Sequence, residues 1–449
     1  METQQLERRL KNRHIQLIAI GGAIGTGLFL GSGKAIQLSG PSILFAYLII
    51  GIALFFVMRA LGELLLSKNN YSSFTDFTTE YLGPWAGFVT GWTYWFCWIM
   101  TAMADTTAVG KYVQYWVNVP QWLPAFLCLI ILTLLNLLTV KMFGEIEFWF
   151  AIIKVITIIA LIIVGFIMIV VGFKTSSGHA SIQNLWAFGG LFPQGNFGFL
   201  LGFQMAVFSF VGIELVGLTV SETADPKINL PKAINSLPIR VLLFYIGALF
   251  VILCIIPWTE LNANHSPFVE VFTLVGLPGA AGIINFVVLT SAASACNSGL
   301  YSTSRMLYSL GREGNAPKSF SVLGKGSVPN AALLSSTLAL SIGVVLNYFL
   351  PDFVFTLVTS ISSICFIWVW GIILVSHLVY LKKRPDLAAA SSFKTPLAPL
   401  MNWIILGFFI FLLVLMGLAN DTRIALFVTP VWFLVLTVAY LLHHRKQAH

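Results

Sequence analysis

Charge is scarce in this sequence. Only 9% of its 449 residues are Asp, Glu, Lys or Arg, whereas 58% are hydrophobic and the mean hydropathy is +0.89. Soluble domains carry about 25% charged residues, so a water-soluble globular fold is excluded. Signatures of enzyme chemistry are also missing: there is no HExxH pair, no GxSxG elbow, no P-loop and no catalytic His–Asp cluster. The five cysteines (Cys97, Cys128, Cys254, Cys296, Cys365) fall at scattered positions inside apolar runs, which supports neither a disulfide framework nor a zinc site, and they read as small packing residues. No metal or cofactor is expected. A cleavable leader is not expected either, because the opening METQQLERRLKNRH is polar and the first apolar run lacks an AxA-type site.

What fills the chain instead is a succession of long apolar runs. A membrane helix needs about 20 such residues to cross a hydrocarbon core of about 30 Å. Twelve spans are expected, over residues 15–38, 41–66, 84–110, 122–140, 144–173, 197–221, 237–257, 276–304, 330–349, 353–381, 400–418 and 424–443. The fold class is therefore all-α integral membrane. With the N-terminus inside, Arg8, Arg9, Lys11, Arg13, Arg240, Arg305, Arg312, Lys382, Lys383, Arg384 and most other basic residues fall in inner segments, against Lys34, Lys111, Lys174 and Arg423 outside. Cytoplasmic loops retain Lys and Arg, so residues 1–14 and the 444–449 tail are expected in the cytoplasm, in a bacterial inner membrane. The net charge of +8 reflects this bias and not nucleic-acid binding.

Residues 21–33, GGAIGTGLFLGSG, hold six glycines in the first span. A nucleotide-binding GxGxxG would need a preceding strand and a soluble βαβ unit, and neither is there. Close helix packing through small-xxx-small spacing fits Gly21/Gly25 and Gly27/Gly31, but these glycines fall on several helix faces. A break in the helix fits better, because irregular backbone survives at membrane depth where it lines a protein-walled cavity. A second interruption is expected in the sixth span, where Ser209, Gly212 and Glu214 sit between apolar runs. The first five spans (15–173) and the next five (197–381) would then be inverted repeats, each opening with a broken helix, followed by two peripheral spans (400–443). That pattern points to a secondary transporter with its substrate at the midplane.

The segments NRHIQLIAIGGAIGTGLF, FFVMRALGELLLS, GPWAGFVTGWTYWFCW, KMFGEIEFWFAIIKV, FVGIELVGLTVSET and LPKAINSLPIR resemble the amino acid permeases of the amino acid–polyamine–organocation superfamily, over nearly the whole chain. The resemblance implies proton symport of a zwitterionic α-amino acid, here small and neutral (glycine, alanine, serine, D-enantiomers included). The alternatives are another neutral class such as threonine, proline or aromatic amino acids, a sodium symporter, or a channel. It also implies that Gly25-Thr26-Gly27 receive the carboxylate, that Phe208 closes over the substrate, and that carbonyls of Phe208, Ser209 and Val211, with that of Ala23, face the ammonium. Exposed amides at a half-helix N-terminus suit an anion. Thr26 either adds a hydroxyl donor or bonds back to a carbonyl one turn earlier, and Phe208 alone would read as packing.

Ionisable residues within spans are functional candidates by default. Lys154 lies nine residues into the fifth span, about 14 Å deep at 1.5 Å per residue. Burial disfavours the charged form of an amine, so Lys154 is a proton-coupling candidate, with a fixed structural cation as the alternative. The resemblance places it between the first, fifth and eighth spans, where Ser291 and Ser294 of the eighth support it. Glu147 stands about 10 Å away along the axis, too far for a direct pair. Glu214 is either a second proton site or a hydrogen-bonded brace of the break. Asp105 is expected near the outer end of its span in a solvated or structural role, Arg59 and Glu63 as an i,i+4 ion pair, and Glu145 and Glu222 as helix-end carboxylates. His14 and His377 are assigned no chemistry.

Overall fold

In the computed structural model of the chain, residues 24–68, 71, 73–137, 140–175, 178–218, 225–324 and 327–447 are described. Ala23, His14 and Glu222 lie outside them. A π-helical turn, Gly27–Gly31, runs into α1 (Ser32–Ser39), and Gly40 at φ 60° with Pro41 turns the chain into α2 (Ile43–Ser67). Next come α3 (Phe74–Leu82) and α4 (Pro84–Val113). Ser73 and Asp76 form a capping box at the start of α3, and Gly83 at φ 100° precedes Pro84, which is pre-set for a first helical turn.

The helices α5 (Trp122–Asn136), α6 (Val140–Val170), α7 (Gly195–Phe208) and α8 (Leu215–Leu218) follow, with a short hairpin, β1 (Lys174–Thr175) and β2 (Gly178–His179), between α6 and α7. Then α9 (Pro226–Asn235), α10 (Leu237–Arg240), a π-helical stretch Val241–Gly247 and α11 (Ala248–Ile255) run on as one rod. The chain ends with α12 (Pro267–Leu274), α13 (Pro278–Arg312), α14 (Asn330–Phe349), α15 (Pro351–Lys383), α16 (Pro385–Ala390), α17 (Leu400–Leu418) and α18 (Arg423–Gln447).

Among the described residues, eight helices are long and apolar enough to cross a membrane. Among the described residues, helix falls within each expected span, though residues 209–214 of the sixth are not helical; α5 and α7 are shorter than that measure requires, and α4, with its Thr, Gly, Asp and Lys, is not counted among the eight. Burial is inverted relative to a soluble protein. Leu338, Phe427 and Val170 are 72%, 69% and 68% exposed, whereas Lys154, Glu147 and Glu214 are 0% exposed. An apolar exterior around a polar interior is what lipid imposes, since ionisable groups there must face the protein.

Helices gain no hydrophobic drive against lipid, so they rely on close packing at small residues. The central pair α4 and α13 does this at Gly299, where a Cβ would lie 3.0 Å from Ala102 Cβ. Lys34 of α1 pairs with Asp421, which precedes α18, so these two segments lie together.

Candidate functional site

Residues 209–214 between α7 and α8 are turns, not α-helix. Amides of Ser209, Phe210 and Val211 donate to the carbonyls of Ala206, Val207 and Phe208 at 3.1, 3.1 and 3.2 Å, a tightened winding. Gly212 then takes φ 98°, a conformation a Cβ disfavours. In the first span Ile24 and Gly25 are bent, helix begins at Thr26, and the amides of Leu28 and Phe29 both donate to Gly25 O at 3.2 Å.

The two irregular stretches touch. A Cβ on Gly27 would lie 2.6 Å from Ser209 Cα and 2.8 Å from Phe208 O, so only a glycine lets these backbones approach. At Gly25 the nearest atom would be Ala295 Cβ at 3.6 Å, an ordinary contact. A cavity of about 20 Å³ opens at this crossing, lined by Gly25, Thr26, Gly27, Phe208, Ser209 and Val211, with Trp98, Thr101, Asp105 and Ala295 completing the wall. One water occupies about 10–15 Å³ by this measure, so the space suits a water or two. Six expected residues are thus brought to one wall, and Ala23 lies outside the described residues.

Asp105 corrects the reading of the sequence. It is 1% exposed, it lines the cavity, and its Oδ1 accepts the Thr26 hydroxyl at 2.7 Å while Oδ2 has no partner among the described residues. Counting helical rise suggests a solvated span end; instead Thr26, just after the bend of the first span, meets Asp105, a contact that no rise per residue reveals. Trp98 and Thr101, two turns and one turn earlier on the same face of α4, were also missed. Their spacing from Asp105 (i, i+3, i+7) is a helical stripe and was a usable signal. Thr26 does not bond back along its own helix: its proton goes to Asp105.

Around the break, Ser209 Oγ pairs with Tyr47 Oη at 2.8 Å, and the Tyr245 hydroxyl donates to the Ser209 carbonyl at 3.0 Å. One lone pair of that expected ammonium acceptor is therefore taken. Phe208 packs edge-on to Phe355, centroids 6.3 Å apart. Glu214 is buried and accepts from the Tyr94 hydroxyl at 3.2 Å and Trp370 Nε1 at 3.4 Å, tying the break to α4 and α15.

Lys154 of α6 is fully buried, and the carboxylates whose fields reach it are Glu147 and Asp105. Ser291 Oγ donates to Ile24 O at 3.1 Å, linking α13 to the bent first span, and Ser294 Oγ donates to Glu147 Oε1 at 2.8 Å. Lys154, Glu214, Ser291 and Ser294 are not among the cavity's lining residues.

Two further expectations need correction. Glu63 does not pair with Arg59: its Oε2 meets His377 Nε2 at 3.0 Å and accepts the Thr395 amide at 2.6 Å, and His377 Nδ1 is paired with Asn402 at 2.9 Å. Arg59 instead donates to Asn235 Oδ1 and to the Lys394 carbonyl, and stacks on Phe393 with its guanidinium carbon 3.7 Å from the ring centroid. His377, without sequence-near partners, is a buried link between α2, α15 and α17.

A family model described as amino acid permease matches residues 14–449. The chain is 62% identical over 447 residues to the uncharacterized transporter YdgF of Bacillus subtilis (99% of this chain, 97% of that relative). It is 56% identical over 449 residues to the D-serine/D-alanine/glycine transporter of Escherichia coli K12 (99% and 96%). It is also 43% identical over 439 residues to the aromatic amino acid transport protein AroP of Escherichia coli O6:H1 (98% and 96%).

Proposed function

Because the chain belongs to the amino acid permease family, a family of multi-pass membrane transporters, we propose that it takes up small neutral α-amino acids with protons by alternating access. The organisation that goes with this reading is twelve spans: inverted repeats over 15–173 and 197–381, two peripheral spans over 400–443, and both termini cytoplasmic. The observation that carries it is the contact of Gly27, just after the bend of the first span, with Ser209 in the irregular stretch of the sixth, beside a small cavity lined by both.

A zwitterion entering a dry site must exchange the water on both its charges for partners. The amides of Thr26 and Gly27 open the helix that begins at Thr26 and lie at the positive end of its dipole, so they suit the carboxylate. The carbonyls of Phe208 and Val211 and the free Oδ2 of Asp105 suit the ammonium. Trp98, Phe208 and Val211 occupy the space a large side chain would need, which favours glycine, alanine and serine over aromatic amino acids. The name of the 56% identical relative points the same way, including D-enantiomers. The cavity is smaller than any amino acid, so its walls must part to admit one, as alternating access requires. Lys154 is the proposed coupling residue, its ammonium replacing a sodium ion between the first, fifth and eighth spans; Glu214 braces the break and is the second candidate.

The test is uptake of labelled glycine by proteoliposomes carrying the purified protein. Accumulation above the external concentration, driven by an inward proton gradient and competed by D-alanine and D-serine, is the expected result. Accumulation that needs a sodium gradient overturns proton coupling. Equilibration without accumulation overturns active transport in favour of a channel.

A further inference from the structure

The face that holds Lys34, Lys111 and Asp421 contains a second cavity, far larger than the central one, at about 570 Å³. It lies between the C-terminal end of α4, the segment leading into α12, α12 itself, α13 and the first turn of α15. Charged groups of both signs reach it: Lys111, His265, Glu270 and Asp352. Lys111 Nζ stands 5.9 Å from the Phe355 ring centroid and lies in the field of Asp352, yet among the described residues the two form no ion pair. Glu270 is partly engaged, by the Asn262 amide at 2.8 Å and by His265 at 3.7 Å.

Two hydroxyls make this a polar site and not a solvent gap. Tyr112 and Ser266 both line the cavity, each is 4% exposed, and among the described residues neither Tyr112 Oη nor Ser266 Oγ has a hydrogen-bond partner. A buried hydroxyl without a partner forfeits about 1–3 kcal/mol, a cost that a bound ligand with acceptors removes. The cavity also stands over the central site. Leu30, in the π-helical turn that begins at Gly27, lines it, and Phe355 contacts Lys111 on one side and Phe208 on the other.

We propose that this cavity is a second zwitterion site, where an amino acid is held before it reaches the central one. This inference rests on the amino acid transport reading above. The substrate's carboxylate faces Lys111 and receives the Tyr112 and Ser266 hydroxyls, while its ammonium faces Asp352 and Glu270. An α-amino acid carries its charges only a few Å apart, which a cavity lined by a cation and by anions can match without contacting the side chain. The space falls within the usual range for ligand pockets of about 300–1,000 Å³ and far exceeds glycine, so the site selects the charge pair and not the side chain. Asp352 is exposed, and screening by solvent makes this the weaker of the two sites.

Saturation binding of labelled glycine to the purified protein in nanodiscs tests this. Wild type should bind two glycines per chain. Lys111→Gln with Asp352→Asn should bind one, and the charge-swapped pair Lys111→Asp with Asp352→Lys should regain the second. Gly27→Ala should lose the central site and keep the outer one. Thermal unfolding of each variant shows that it remains folded. Saturation of wild type at one glycine, or two glycines retained by the Lys111→Gln, Asp352→Asn variant, overturns the proposal while leaving the transport reading standing. Absence of any glycine binding overturns both.

Discussion

Thr26 and Asp105 are 79 residues apart in sequence and joined by a 2.7 Å hydrogen bond that spends the threonine's only proton. While Asp105 is ionised and holds that proton, Thr26 presents only lone pairs to the cavity. A protonated Asp105 no longer needs the bond, and the hydroxyl is released to donate to a substrate carboxylate.

Replacing Asp105 with Asn also removes the negative charge proposed to face the substrate's ammonium, and this loss should impair transport more than Thr26→Ser does. A hydrogen bond to a charged group contributes about 1.5–3 kcal/mol, or roughly 10- to 100-fold in the KM for glycine. Initial uptake rates across a glycine series read this directly; a KM unchanged in Asp105→Asn removes the aspartate from the site.

The neighbouring glycines should behave differently. Gly27→Ala forces a Cβ to within 2.6 Å of Ser209 Cα, whereas at Gly25 the new methyl meets Ala295 Cβ at 3.6 Å. Overpacking costs about 1–3 kcal/mol, so Gly27→Ala should abolish uptake with helical content preserved, and Gly25→Ala should keep a measurable fraction. Equal loss in both would place the constraint in the ligand and not in the helix crossing.

Lys154→Met should end accumulation driven by a pH gradient while leaving exchange of internal for external glycine. The lysine is buried at 0% exposure with Glu147 and Asp105 acting on it. Undiminished accumulation in the variant refutes its role as the coupling residue.

The link formed by Glu63 and His377 should be structural. Both are buried, and removing one partner of a buried pair costs about 3–5 kcal/mol. His377→Leu should lower the unfolding temperature of the purified protein well beyond what Arg59→Gln does at its half-buried site.

In the loop before α12, pairing with Glu270 raises His265 above the usual histidine value. A raised folded-state value means that the stabilisation is fully present below the unfolded value of about 6.5 and is lost as pH rises through the folded one. With His265 largely exposed the effect is small. Glu270→Gln should lower the His265 titration midpoint in an NMR pH series; an identical midpoint shows the pairing absent in solution.

Membrane class, most helix positions, the bend at Ile24–Gly25 and the interruption of the sixth span were legible in the sequence because each depends on local composition. Long apolar runs must be helical in lipid, and the glycine and polar clusters around Gly25 and Gly212 mark where a helix gives way. The i, i+3, i+7 stripe of Trp98, Thr101 and Asp105 was equally visible but carries no sign of which neighbour it faces. Glu63 could pair with Arg59 or His377 with equal local logic, and only the packing of α2 against α15 settles the partner.

By itself, then, the sequence determined what kind of solvent surrounds this protein, where its helices run and where they break, since hydropathy and backbone propensity are properties of short segments. The tertiary structure alone decided which polar groups meet: Gly27 with Ser209, Thr26 with Asp105, Ser294 with Glu147. Such pairings depend on the crossing of helices far apart in the chain, and crossing distances are set by side-chain volumes summed over whole interfaces, a quantity no short stretch of residues contains.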